Sequence, residues 1–167
     1  MRAGGSNPPG AISDKAGELE MKRLSGHAER WIDAPAGLCL SLLRDLERWP
    51  DWSSTVVSSA GVERDAERRA TRASLEARLL GLRLSFRAEV SEGLGDHVEL
   101  HRLPHGDDDP ERLDLIVDLS PQGSGCLATA QLTAGLDVPR LLPLPGAIGD
   151  QVAARILADL AAAAAAS

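Results

Sequence analysis

From about Ser54 to Val138 apolar and polar residues alternate with a period of two, the pattern of strands that bury one face. "ASLEARLL" places Ala73, Leu75, Ala77 and Leu79 on one side, and "LRLSFRAEV" places Leu82, Leu84, Phe86, Ala88 and Val90 on one side. Pairing 79 with 82, 77 with 84 and 75 with 86 brings both sets to the same face of a hairpin, as register requires. A two-residue turn in "LLGL" would force Leu80 to positive φ, so a four-residue loop of the same parity is expected. "HVEL", "RLDLIVDL" and "CLATAQLTAGL" predict three more strands, divided by the loop signals "PHGDDDP" and "SPQGSG".

On either side the pattern differs. "HAERWID" predicts a short first strand with Ala28 and Ile32 on one face. After Pro35, which suits a first helical turn, Leu38, Cys39, Leu42, Leu43 and Leu46 recur at helical spacing until Pro50 breaks it. From about Gly146, a ridge of Ile148, Val152, Ile156 and Leu160, flanked by Gly149, Ala153 and Leu157, predicts a long final helix. Residues 1–24 carry no hydrophobic period and are expected to be a disordered extension, with Met21 an alternative start. The folded domain is expected over 25–163, with 164–167 a frayed tail of the alanine run.

A meander this long must bury a face, and the last helix is the only partner large enough. The expected class is α+β: a curved antiparallel sheet of six to seven strands wrapped around that helix, with one or two short helices after the first strand. The 167 residues and 43% hydrophobic content suit one domain. A net charge of −7 argues against nucleic acid and against anionic membrane surfaces as partners. No apolar run reaches the roughly 18 residues of a membrane helix, and the N-terminus lacks the apolar core of a signal peptide. Cys39 and Cys126 show no paired spacing, which predicts buried reduced thiols in a cytoplasmic protein.

The candidate chemistry is sparse. Phe86, Trp31, Trp49 and Trp52 are the only aromatic residues. Two of them share "DLERWPDW"; Trp49 is expected to anchor the short helices and Trp52 to stand at a cavity mouth. His97, His101 and His105 invite a metal reading, but the first two would lie about 13 Å apart along a strand, too far to share one ion. His101 alone stays a candidate polar group at a cavity edge. Arg78, Arg83 and Arg87 fall on the outward hairpin face among Glu76 and Glu89, which predicts cross-strand ion pairs. Serine-hydrolase, phosphate-loop and zinc-protease motifs are all missing, so no catalytic residue, metal ligand or cofactor is assigned.

Two longer stretches, "WIDAPAGLCLSLLRDLERWPDW" and "VPRLLPLPGAIGDQVAARIL", resemble the START-like (SRPBCC, helix-grip) superfamily over about residues 26–162, in its polyketide cyclase/dehydrase and coenzyme Q-binding branches. The resemblance implies a hydrophobic ligand held between sheet and final helix. Its expected walls are Leu75, Leu84, Phe86, Val98, Leu100, Leu115, Val117 and Ala130 against Val152 and Ile156, with Trp52 at the mouth. A noncatalytic carrier of a lipid, quinone or polyketide is the first reading, as a monomer or homodimer. A polyketide cyclase or dehydratase using general acid–base chemistry is the second. A protein-interaction module with a filled core is the third.

Overall fold

The computed structural model describes residues 18–79 and 81–167. Strand β1 (Leu19–Ile32) leads into helix α1 (Ala36–Leu43), a 3-10 turn (Leu46–Arg48) and the one-turn helix α2 (Trp49–Trp52). Six strands follow: β2 (Val56–Arg64), β3 (Ala70–Leu79), β4 (Leu82–Glu92), β5 (His97–Arg102), β6 (Arg112–Gln122) and β7 (Gly125–Pro139). Helix α3 (Ile148–Ala166) ends the chain. The strands form one antiparallel sheet in the order β1-β7-β6-β5-β4-β3-β2, so β1 returns across the meander to pair with β7. The architecture is the expected helix grip.

Four expectations change in detail. The first strand begins at Leu19, so residues 19–24 are not part of a disordered extension; residues 1–17 lie outside the described ones. Backbone pairing makes this segment a strand, from Leu19↔Pro139 to Ile32↔Cys126, although its side chains show little alternation. Lys22 reinforces it by donating from Nζ to the carbonyls of Arg140 (2.9 Å) and Leu142 (2.7 Å). Strand β2 was not visible as a separate element. It is a sheet edge whose side chains are mostly exposed, and bulges interrupt its pairing with β3.

The hairpin register is as expected, with Leu75↔Phe86, Ala77↔Leu84 and Leu79↔Leu82. Pairing reaches Leu79↔Leu82, however, so the connection is two residues rather than four. Gly81 takes φ 78°, a conformation its missing Cβ permits; Leu80 is outside the described residues. At the other end, α3 runs to Ala166 with Ala164 buried, so packing continues into the alanine run where a frayed tail was expected.

Helix α3 does not sit centrally over the sheet. The strands it lies against are β1 and β7. Two glycines set that approach: the backbone of Gly149 rests on the backbone of Ser25 and Gly26, and a Cβ at either glycine would collide with the other segment. Asp150, one residue on, accepts a hydrogen bond from the His27 N–H at 2.8 Å. Small inward residues of β7, Ala128 and Ala130, and Ala153 of α3 are fully buried on the same side. Gly149→Ala is therefore expected to destabilise the domain by about 1–3 kcal/mol, because backbone cannot give way as a side chain can. Gly37→Ala is its control: Gly37 is helical with open space around it, and the change should stabilise by up to about 1 kcal/mol. Urea midpoints of the two variants moving together would refute the assignment.

Candidate functional site

The site is built on the connection after α1. A helix ends with carbonyls that lack intrahelical partners. The Trp49 indole N–H donates to the Leu43 carbonyl at 3.0 Å, and the Trp52 N–H donates to the Leu42 carbonyl at 3.3 Å. The two rings pack with centroids 4.8 Å apart. "WPDW" is thus a hydrophobic cap on the C-terminus of α1, with Pro50 starting the turn that brings both indoles back. Asp159 of α3 then fixes Ser54, two residues on, accepting from its N–H (2.8 Å) and its Oγ–H (2.7 Å).

Between this connection, α3 and the sheet lies an apolar cavity of about 50 Å³. It occupies one end of the sheet. Its walls are Leu24 of β1, Trp49, Thr55, Val56 of β2, Ala77 and Leu79 of β3, Leu84 and Phe86 of β4, Leu100, Leu113, Leu115, then Leu132, Ala134 and Leu136 of β7, with Val152 and Ile156 of α3 above. The other end is solid: Ile32, Cys39, Leu43, Cys126, Leu157 and Leu160 are each almost fully excluded from solvent. Burial and the neighbouring Cys126 push the Cys39 thiol up to about 12, so it stays protonated.

Six of the expected wall residues come together there: Leu84, Phe86, Leu100, Leu115, Val152 and Ile156. Leu75, Val98, Val117 and Ala130 are inward and buried but belong to the packed part. The eight sheet residues share one inner face, one end of which is packed solid. Trp52 is not on the cavity wall. Trp49 is, so the expected anchor is also a wall residue. Ala77, Leu79, Leu132 and Ala134 lay on faces already legible by alternation, whereas Leu24 was hidden by its assignment to a disordered stretch.

His101 does not reach the cavity. It alternates with Val98 and Leu100, so their burial sends it to the convex face. There it joins a chain of paired groups. Asp118 contacts His97 Nδ1 at 2.6 Å, and Glu99 bridges His97 Nε2 (2.6 Å) and His101 Nε2 (2.7 Å). Asp114 closes it on His101 Nδ1 at 2.5 Å. Glu99 and then Asp118 raise the pKa of His97 above its ordinary 6.5; Asp114 and then Glu99 do the same for His101. His97 and His101 in turn hold Glu99 below its ordinary 4.5. The neighbouring hairpin face carries the cross-strand pair Arg83–Glu76 (2.9 Å) from among the expected residues, while Glu89 pairs with Arg72 (2.7 Å) instead. Among the described residues no group of His, Cys, Asp and Glu has metal-binding geometry, and no helix is long and apolar enough to cross a membrane.

Residues 32–164 match the sequence profile of the family described as polyketide cyclase / dehydrase and lipid transport. Among solved structures, a START superfamily protein from Mycobacterium smegmatis superposes with a TM-score of 0.58 at 20% identity, over 86% of this chain and 94% of that one. A protein from Thermus thermophilus gives 0.65 at 23%, over 85% and 97%. A STAR-related lipid transfer protein from Xanthomonas axonopodis gives 0.56 at 15%, over 83% and 84%. At these identities the likeness is one of fold. Curated protein sequences yield no match.

Two outcomes follow from this geometry. Both histidines are raised, so their contribution is fully present below about pH 6.5 and fades as pH rises through their folded values. Glu99 is lowered, so its share is lost in the opposite direction, as pH falls below about 4.5. Denaturation midpoints should decline from pH 6.5 upward, and His97→Gln with His101→Gln should flatten that slope; an unchanged slope would remove the role. Separately, Ala134→Leu should change stability by less than about 1 kcal/mol because it grows into the cavity, while Ala130→Leu should cost about 1–3 kcal/mol.

Proposed function

We propose that this chain, which belongs to the polyketide cyclase/dehydrase and lipid transport family, binds a hydrophobic small molecule of the lipid, quinone or polyketide kind between sheet and α3. The observation that carries the reading is the mouth of the cavity. Of its walls, Leu79, Leu84, Phe86, Leu113 and Val152 are only partly buried, the arrangement of an apolar pocket open at one end. Its closed volume of about 50 Å³ is far below the roughly 300–1,000 Å³ of a ligand-filled pocket. The ligand therefore enters by moving the rim apart, replacing solvent-facing leucine surface with ligand contacts worth about 25 cal/mol per Å².

Binding is favoured over cyclase chemistry by what the walls contain. Thr55 is the one polar side chain on them, and none of the wall residues titrates. General acid–base catalysis needs a titratable group within hydrogen-bond reach of the reacting atom. His97 and His101 lie on the convex face, in ion pairs.

Titration with the neutral dye Nile red tests the reading, with energy transfer from Trp49 as the readout. Saturable binding of one dye per chain is expected, weakened roughly fivefold or more in Ala134→Leu at an unchanged melting temperature. Absence of saturable binding would hand the fold to the filled-core interaction module.

A further inference from the structure

Strand β5 is shorter than its neighbours, and this opens a slot in the sheet beside the cavity. The last β4–β5 pair is Ala88↔Arg102, and the last β5–β6 pair is His101↔Asp114. Beyond them β4 continues to Leu82 and β6 to Arg112, with only the loop 103–111 between. Among the described residues, no strand pairs with that side of β4 over 82–87. The Leu103 N–H donates to the Arg87 carbonyl at 2.8 Å, so the Arg87 backbone faces the slot. Alternation in an antiparallel strand turns the N–H and C=O of Ser85 the same way.

The slot is an open groove of about 670 Å³, and Phe86 lines both it and the apolar cavity. Its two arginines are paired, and His105 is the remaining basic side chain on its wall. Arg102 is held by Asp109 (2.6 Å) and Glu111 (3.3 Å), and Arg87 by Glu63 (2.8 Å). Asp109 is held down to about 2, first by the His105 N–H and then by Arg102, so it remains the anion that Arg102 pairs with. Asp108, also on the slot wall, has no ion-pair partner among the described residues. The slot therefore offers backbone and hydroxyl hydrogen bonds in a negative surround.

Resting on the binding reading above, we propose that the ligand spans cavity and slot past Phe86, and that its polar end is an uncharged hydrogen-bonding group such as a hydroxyl, ketone or amide. A carboxylate or phosphate would lose hydration beside Asp108 and Glu111 without gaining an unpaired arginine, and is disfavoured.

Displacement of Nile red by 1-dodecanol and by dodecanoate, at about pH 7.5 and corrected for each probe's partition into neutral micelles, tests this. Dodecanol should displace the dye at a concentration roughly tenfold or more below dodecanoate, the ratio that one uncompensated polar contact produces. Asp108→Lys should narrow the ratio by improving dodecanoate alone. Equal displacement by the two probes, or a ratio that Asp108→Lys leaves unchanged, would overturn the ligand class while leaving hydrophobic binding in place. A protein that fails to bind Nile red removes both.

Discussion

The backbone contact between Gly26 and Gly149 determines most of what this domain can do. Two segments without side chains at the crossing let α3 descend onto β1, closer than any other residue pair would permit. Asp150 then ties the helix start to the His27 N–H, joining position to orientation. Because the helix is drawn to the β1–β7 side, it stands away from β3 to β6. Large residues such as Leu75, Leu100 and Leu115 fill part of that space. The remainder is the cavity. A bulkier residue at either crossing would lift the helix and would alter the volume beneath it as well as the stability.

The polar groups follow a division of labour set by the same geometry. Those near α3 and α1 satisfy the backbone: the two indoles cap α1, and Asp159 holds Ser54. Ser53 is almost fully buried, and its Oγ accepts from the Thr55 and Val56 N–H groups at the start of β2. The charged groups pair with one another on the convex face. Burying a polar group without a partner costs roughly 1–3 kcal/mol, so an interior with so few aromatic and hydroxyl residues keeps its cavity dry by keeping it apolar. The lack of tyrosine in the sequence therefore describes the site as well as the composition.

The fold was legible because its signals are periodic and long. Alternation from Ala73 to Val90 set the hairpin register pair by pair, and the four-residue ridge from Ile148 to Leu160 set the inward face of α3. Edges were less legible. β1 from Leu19 and the whole of β2 are held by backbone pairing, to which side-chain pattern is blind. The cavity was half legible for a related reason. Alternation assigns residues to the inner face, but only three-dimensional packing decides which end of that face is filled. Leu84 and Val117 look equivalent in sequence; α1 lies over the end near Val117, and nothing covers Leu84 equally well. Trp49 was legible as an anchor, but that it also walls the cavity while Trp52 does not depends on which helix carbonyl each indole reaches.

The least supported part of the sheet is also the part that borders the cavity. From Leu82 to Arg87, β4 is paired with β3 on one side only, and its inward leucines are half-exposed. That end has three strands, β2, β3 and β4, but bulges interrupt the β2–β3 pairing and the outer side of β4 is wet, so it is weakly stabilised compared with strands paired regularly on both sides. The opposite wall, Leu132 and Ala134 of β7, is paired with both β1 and β6 and lies under α3. On the binding reading proposed above, the cavity would open at the β3–β4 tip, while α3 stays seated on its glycines. This asymmetry reconciles a closed volume too small for a ligand with a rim built of apolar surface: the rigid half sets what fits, and the tip supplies the space.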